Sequence, residues 1–300
     1  MKFCNRLKYT ALISAAIILA GIIVAVFMGV NIGVDFSGGT LFTLDMGGEF
    51  DASDINAALS TAGISNATVI KSGTTGSSKT QAVIRMRPFA DEDAENEARL
   101  SIVEALTEKY PSVSVVSVDH VGAVASADLI RSALLSVGIA SVLMLIYIWI
   151  RFELMSGIAA VVMLLHDVAI MISLTIILRI QINSPFIAAV LTIIGYSINN
   201  TIVIFDRVRE NGRFNKKKKT PVLTEELIDK SVNDSLSRAI NTSITTLITI
   251  VALYILGVDS VKEFSLPIII GLVAGTYSSI FMAAPFWRHL NNKKAASEAK

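Results

Sequence analysis

Residues Tyr196–Asn211 read YSINNTIVIFDRVREN. The stretch begins inside an apolar run and ends in charges, with the amides Asn199 and Asn200 about two helical turns ahead of Asp206 and Arg207. Polar side chains are costly in lipid, so amides inside such a run must turn toward other helices or a water-filled cavity. That reading makes the chain a membrane-helix bundle with a polar interior. The composition agrees: of 300 residues, 53% are hydrophobic and only 17% charged, a balance that argues against a purely soluble protein.

Working outward, six apolar runs emerge: Ala11–Val30, Leu129–Ile150, Met155–Leu178, Pro185–Phe205, Ala239–Gly257 and Ser265–Trp287. Each is near the ~20 residues that cross the hydrocarbon. The first follows Lys2, Arg6 and Lys8 in the manner of a signal peptide. It outruns the usual h-region of about 7–15 residues, however, and reads as an uncleaved span. Lys and Arg set orientation. They concentrate before the first span, in residues 206–238 (nine, including the run Lys216–Lys219) and after the last. Those three segments are therefore expected in the cytoplasm. The 31–128 segment, with six Lys/Arg against fourteen Asp/Glu, is expected outside. The Lys216–Lys219 run is read as a topology determinant; no nucleic-acid partner is expected.

The resulting domain plan has a cytoplasmic N-terminus and first span (1–30), an external domain (31–128) and spans two to four (129–205). A basic cytoplasmic loop (206–238), spans five and six (239–287) and a cytoplasmic tail (288–300) complete it. Inside 31–128, GTLFTLDM (Gly39–Met46), ATVIKS and QAVIRMR alternate like strands, and SVSVVSVDHV closes as another. SDINAALSTAG (Ser53–Gly63) and DEDAENEARLSIVEALTEKY (Asp91–Tyr110) carry helix-start signals, and the first ends in glycine. The order βαββαβ is that of a ferredoxin-like split unit. The expected fold class is thus an α+β membrane protein, six helices with one external ferredoxin-like domain between the first two.

Catalytic signatures are absent. GTTGSSKT (Gly73–Thr80) misses the second glycine of a phosphate loop and joins two strands, so it reads as a hairpin loop. Cys4 is the only cysteine, and His120, His166 and His289 show no ligand spacing, so neither a metal nor a cofactor is expected. Nothing points to an enzyme. The informative residues lie in the spans. Thr192, Tyr196, Asn199, Asn200, Val203, Asp206 and Arg207 fall on one face by helical spacing. Arg238, Asn241, Thr242, Thr245, Thr246 and Thr249 form a second stripe, whose hydroxyls are expected to bond across helices. Asp167, beside His166, lies near the midplane of the third span. Asp206 and Arg238 are expected at one level, close enough to pair. Gly271 and Gly275 make a GxxxG packing motif.

Two long motifs bring a family into view. GVDFSGGT (Gly33–Thr40) follows the first span, and IIGYSINNTIVIFDRVREN (Ile193–Asn211) covers the fourth; LLHDVAI (Leu164–Ile170) adds the third. Over nearly its whole length the chain resembles the SecF family of the bacterial Sec protein-export machinery. The resemblance implies a multi-pass protein of the bacterial inner membrane that pairs with SecD and associates with the SecYEG channel. It also implies use of the proton gradient to draw unfolded exported polypeptides outward. Gly33, Asp35, Phe36, Gly38 and Gly39 form the family motif leading into the external domain, where Gly38 and Gly39 serve either a hinge or a tight turn. One departure matters: where well-known members carry aspartate, this chain has Asn200, and an amide cannot titrate. The carboxylate would then come from SecD, Asp206 or Asp167, with Asn199, Asn200 and Arg238 lining the ion pathway and Na⁺ open as an alternative to H⁺. The rival readings are a small-molecule or lipid exporter of the same superfamily and a non-conducting scaffold.

Overall fold

Apolar helices come first in the architecture because six segments are long and hydrophobic enough to cross a membrane: Cys4–Met28, Ala125–Arg151, Leu154–Ile177, Ser184–Gly212, Glu225–Leu256 and Val261–Lys293. The computed structural model describes residues 2–64, 67–72, 80–89, 91–212, 223–257 and 259–298. The run Lys216–Lys219 and most of the Gly73–Thr80 loop lie outside the described residues. The membrane helices are α1 (Leu7–Met28), α5 (Ala123–Arg151), α6 (Leu154–Ile177), α7 (Ser184–Gly212) and α8 (Glu225–Leu256). The sixth span is composite: α9 (Asp259–Ser278), a π-helical turn (Ser279–Ala283) and α10 (Ala284–Glu298). Around it pack α6, α7 and α8, so the sixth span is the centre post of the bundle.

Small residues let the helices close. A Cβ added at Gly271 would lie 2.5 Å from Cγ1 of Ile193, and one at Gly275 would lie 3.1 Å from Cβ of Ser197. The GxxxG motif is thus a packing seam between α9 and α7. Gly21 does the same for α1, facing Ser173 of α6. One apolar cluster (Leu164, Met171, Ile193, Ile268 and Leu272 among others) fills one half of the bundle. A second, with Phe3, Phe205, Ile228 and Trp287, fills the other.

Between α1 and α5 sits a small α/β unit: a four-residue helix α2 (Val34–Ser37), then β1 (Gly39–Asp45), α3 (Ala52–Thr61), β2 (Thr68–Ser72), β3 (Gln81–Met86), α4 (Glu92–Thr107) and β4 (Ser114–Val121). The sheet is antiparallel throughout, in the order β2-β3-β1-β4. Alternation in β1 and β3 sends Phe42, Leu44, Ala82 and Ile84 to one face, where α3 and α4 cover them with Ile55, Leu59, Ile102 and Leu106. Asp51 caps α3 by accepting from Ser53 N, and Asp91 caps α4 by accepting from Ala94 N at 2.8 Å. Asp54 ties the two helices, accepting from Lys109 Nζ and Tyr110 OH at 2.6 Å each. Those two donors hold its carboxyl below the ordinary aspartate range.

The motif Gly33–Gly39 is a clamp. Gly33 N donates to Ile182 O at 2.8 Å, and Ile182 N returns to Asn31 O at 2.8 Å. A side chain at Gly33 would reach Asn183 Cβ at 2.9 Å. Asp35 accepts from Ser184 N at 3.0 Å, placing a carboxylate at the amino end of α7, where it complements the helix dipole. Gly38 and Gly39 have φ of 71° and 148°, backbone that only glycine adopts without strain, and they make a tight turn into β1.

Candidate functional site

The sixth span and α6 meet at Asp167, which is 0% exposed. Oδ2 accepts from Ser278 Oγ of α9 at 2.8 Å and, more closely, from Ser197 Oγ of α7. Oδ1 contacts Nδ1 of His166 at 2.9 Å. His166 Nε2 is buried with no partner among the described residues. Asp167 lies 13 residues into α6 and therefore about 20 Å along it. A carboxyl at that depth keeps its polarity only because three side chains from three directions satisfy it, as a buried polar group requires.

One turn beyond Ser197 on α7, Asn200 is also buried. Its Nδ2 donates to Ser243 Oγ of α8 at 3.1 Å, and Thr276 Oγ1 of α9 donates to the same oxygen at 2.8 Å. Thr201 Oγ1 and Ser279 Oγ lie 2.9 Å apart. The result is a sealed polar seam linking α6, α7, α8 and the sixth span. The π-helical turn begins at Ser279, and such turns often mark functional sites.

The seam divides the residues that the sequence grouped. Asn200 turns inward while Asn199 is exposed, so Thr192 through Arg207 do not share one environment. Asp206 does not pair with Arg238. It meets Arg151 at 3.2 Å and Arg209 at 3.6 Å, at the α5–α6 turn. Arg207 takes α8 instead, meeting Asp234 at 3.3 Å. The reason is geometric: successive residues diverge by ~100°, so Asp206 and Arg207 cannot face the same neighbour. Depth is not the obstacle: the contacts Asn200–Ser243 and Arg207–Asp234 put Arg238 within about one turn of the level of Asp206. Arg238 is exposed, and its guanidinium has no partner among the described residues. Asn199 on α7 and Asn241 on α8 are exposed as well.

The threonine stripe also differs from expectation. Thr242, Thr245, Thr246 and Thr249 bond carbonyls of their own helix three or four residues back. Of the residues grouped from sequence, Asn200 and Tyr196 do bond across helices, Tyr196 OH donating to Thr242 O at 3.0 Å; their companions Ser197, Thr201, Ser243, Thr276, Ser278 and Ser279 lay outside that grouping. Spacing held the signal: Ser197 lies one turn before Asn200, and Ser278 one turn after Gly275.

A second polar junction joins the α/β unit to the bundle. Arg85 of β3 donates to Gln181 Oε1 at 2.7 Å and to Glu263 of α9 at 3.2 and 3.3 Å. Asn183 Nδ2 donates to Glu263 Oε2 at 2.6 Å. One helix therefore touches the sheet at Glu263 and the buried carboxyl at Ser278.

Six lipid-length helices enclosing a carboxyl–hydroxyl–amide seam define a multi-pass membrane protein with a polar interior. Residues 101–293 match the family model described as protein export membrane protein SecD/SecF, C-terminal. SecF of Sebaldella termitidis is 37% identical over 86% of this chain and 81% of its own length. SecF of Desulfurispirillum indicum is 34% identical over 95% and 91%, and SecDF of Bacillus subtilis 35% identical over 95% and 37%. Crystallised SecDF from Thermus thermophilus superposes with a TM-score of 0.77 at 29% identity, covering all of this chain and 39% of that one. The chain belongs to the SecD/SecF family of protein-export membrane proteins and is a SecF-type subunit.

Proposed function

We propose that the chain works in Sec-dependent protein export as the partner of a SecD-type chain, coupling ion movement through the membrane to late translocation. Relatives in which a SecD portion and this portion are one polypeptide support the pairing. The N- and C-termini and residues 206–238 face the cytoplasm. The α/β unit, a ferredoxin-like domain, faces outside, where it meets the emerging unfolded chain next to the SecYEG channel. The side with the exposed Asn199, Asn241 and Arg238 is the one that SecD covers, because amides within an apolar run are costly to leave against lipid.

The observation that carries the coupling role is the complete burial of Asp167 among Ser197, Ser278 and His166. Asn200 offers no proton, and Asp206 is half-exposed and held by two arginines at the mouth. Asp167 is therefore the protonatable group on this side of the pair. Proton loading changes what Oδ2 accepts from Ser278, and the sixth span carries that change to Glu263 and Arg85. In proteoliposomes holding SecD and this chain, Asp167→Asn abolishes proton influx while Asp206→Asn retains it. Equal flux in wild type and Asp167→Asn would leave the chain a scaffold.

A further inference from the structure

We infer that the cleft between α5 and α6 is a binding site for one phospholipid with an ammonium headgroup, such as phosphatidylethanolamine. The cleft has a volume of about 470 Å³ and is lined by Ile146, Trp149, Phe152, Gly157, Ile158 and Val161 among others, a size typical of ligand pockets. Its walls are apolar, and it opens at the α5–α6 turn, where the chain places two opposite charges, Arg151 and Glu153, on either side of Phe152.

The charges at that opening do not cancel locally. Arg151 and Arg209 lie over the Phe152 ring, with Cζ 5.6 and 5.8 Å from its centroid. Asp206 balances only one of them, through Nη2 of Arg151 and Nη1 of Arg209. The remaining guanidinium donors are available, since each group has five N–H bonds in a planar fork that fits phosphate. Glu153, which lines the cleft, is exposed and its carboxylate has no partner among the described residues. One surplus positive charge therefore stands beside one unpaired negative charge, at the end of an apolar slot. A phosphodiester that carries an ammonium through a two-carbon link on one side and acyl chains through glycerol on the other has that same order of groups.

The surroundings fit lipid better than protein. Trp149 is 77% exposed and Leu154 58% exposed, apolar surface at the level where aromatic side chains meet headgroups. An apolar helix of another chain seated there would offer no hydrogen-bond partner to the surplus guanidinium or to Glu153. Gly157 keeps the slot narrow: a Cβ there would come within 3.2 Å of Ile148 Cγ2. The inference needs only that the six helices lie in a bilayer, and it is independent of Asp167.

The test is native mass spectrometry of the full chain, delipidated in detergent and titrated separately with phosphatidylethanolamine, phosphatidylcholine and phosphatidylglycerol. Wild type retains one phosphatidylethanolamine at least threefold more tightly than either of the others. Glu153→Gln, a change at an unpartnered surface group, removes that preference but not basal binding. Ile158→Trp, which fills the slot from an exposed position, weakens all three lipids about tenfold. Unchanged binding in Ile158→Trp, a wild-type preference for phosphatidylglycerol, or loss of the bound lipid when SecD is added would each overturn the assignment. Proton influx measured on the same Glu153→Gln sample separates this site from the coupling role, which predicts no change there.

Discussion

Removing the Ser278 hydroxyl tests the buried seam most directly. In wild type, Oδ2 of Asp167 accepts from both Ser197 and Ser278, the latter at 2.8 Å, with all three residues buried. Ser278→Ala deletes one donor and leaves that oxygen with the other. Hydrogen bonds to charged groups contribute about 1.5–3 kcal/mol in soluble proteins. Interhelical bonds in membranes average about 0.6 and reach about 1.7 kcal/mol, because the unfolded chain in lipid also finds partners. Full burial puts Ser278 at the top of the membrane range, so the expected cost is about 1–1.7 kcal/mol. Thr245→Ala is the control, since that hydroxyl is exposed and bonds only its own helix; its cost is below about 0.5 kcal/mol. Equilibrium unfolding of the purified chain in mixed micelles reads both. Ser197→Ala alone and combined with Ser278→Ala completes a cycle with coupling of at least about 0.5 kcal/mol, as expected when two donors share one acceptor. A Ser278→Ala cost equal to that of Thr245→Ala, or strict additivity in the cycle, would refute the description of the seam.

Three further outcomes follow from packing and charge. Gly271→Ala forces a methyl against Ile193 and destabilises the bundle by about 1–3 kcal/mol; adding Ile193→Ala restores part of the loss in the same unfolding assay. Arg85→Ala releases the sheet from α9 at a cost of about 1 kcal/mol, the upper end for a partly exposed pair. Hydrogen exchange in β2 and β3 then quickens about fivefold, and Glu263→Ala adds little more. Asp54 titrates at a lower pH folded than unfolded, so its stabilising effect is complete above the unfolded value near ~4 and disappears as pH falls through the folded one. Asp54→Asn therefore flattens the acid side of the stability–pH curve, measured by thermal melting of the α/β unit between about pH 5 and 2.

The sequence exposed the elements better than their rotations. All six spans were legible because lipid demands unbroken apolar length, and the βαββαβ order because Asp51 and Asp91 announce helix starts while Gly63, at φ 72°, closes one. Two spans extend further as helices than their apolar cores. Residues 206–212 and 225–238 lie outside the apolar runs yet are helical, packing on one another through Arg207–Asp234 and Asn211–Ser231. Arg238 lies within about one turn of the level expected; its pairing failed because Asp206 turns to Arg151 and Arg209. Asp167 stood out, since a carboxylate in an apolar run has few innocent explanations. Its serine partners did not: a small hydroxyl residue suits a lipid face, a self-bonded helix or an interhelical bond equally, and only the neighbouring helix decides. The family motif's structural role was hidden for the same reason, because Asp35 acts on the amino end of α7, 149 residues away.

The π-helical turn at Ser279–Ala283 has a consequence for the register of everything after it. It houses one residue more than an α-helical path would, and each residue is worth ~100° of rotation. Ser278 and Ser279, where that turn begins, already answer to different helices, Asp167 on α6 and Thr201 on α7, by the ordinary ~100° step. A single deletion that straightened the helix would swing Trp287 off Phe205, now 4.8 Å from it, and Arg288 off Leu223. The wide turn thus acts as a phase adjuster, letting one helix meet two sets of neighbours, in the buried seam and at the far end of the bundle, with neither set dictating the other's angle.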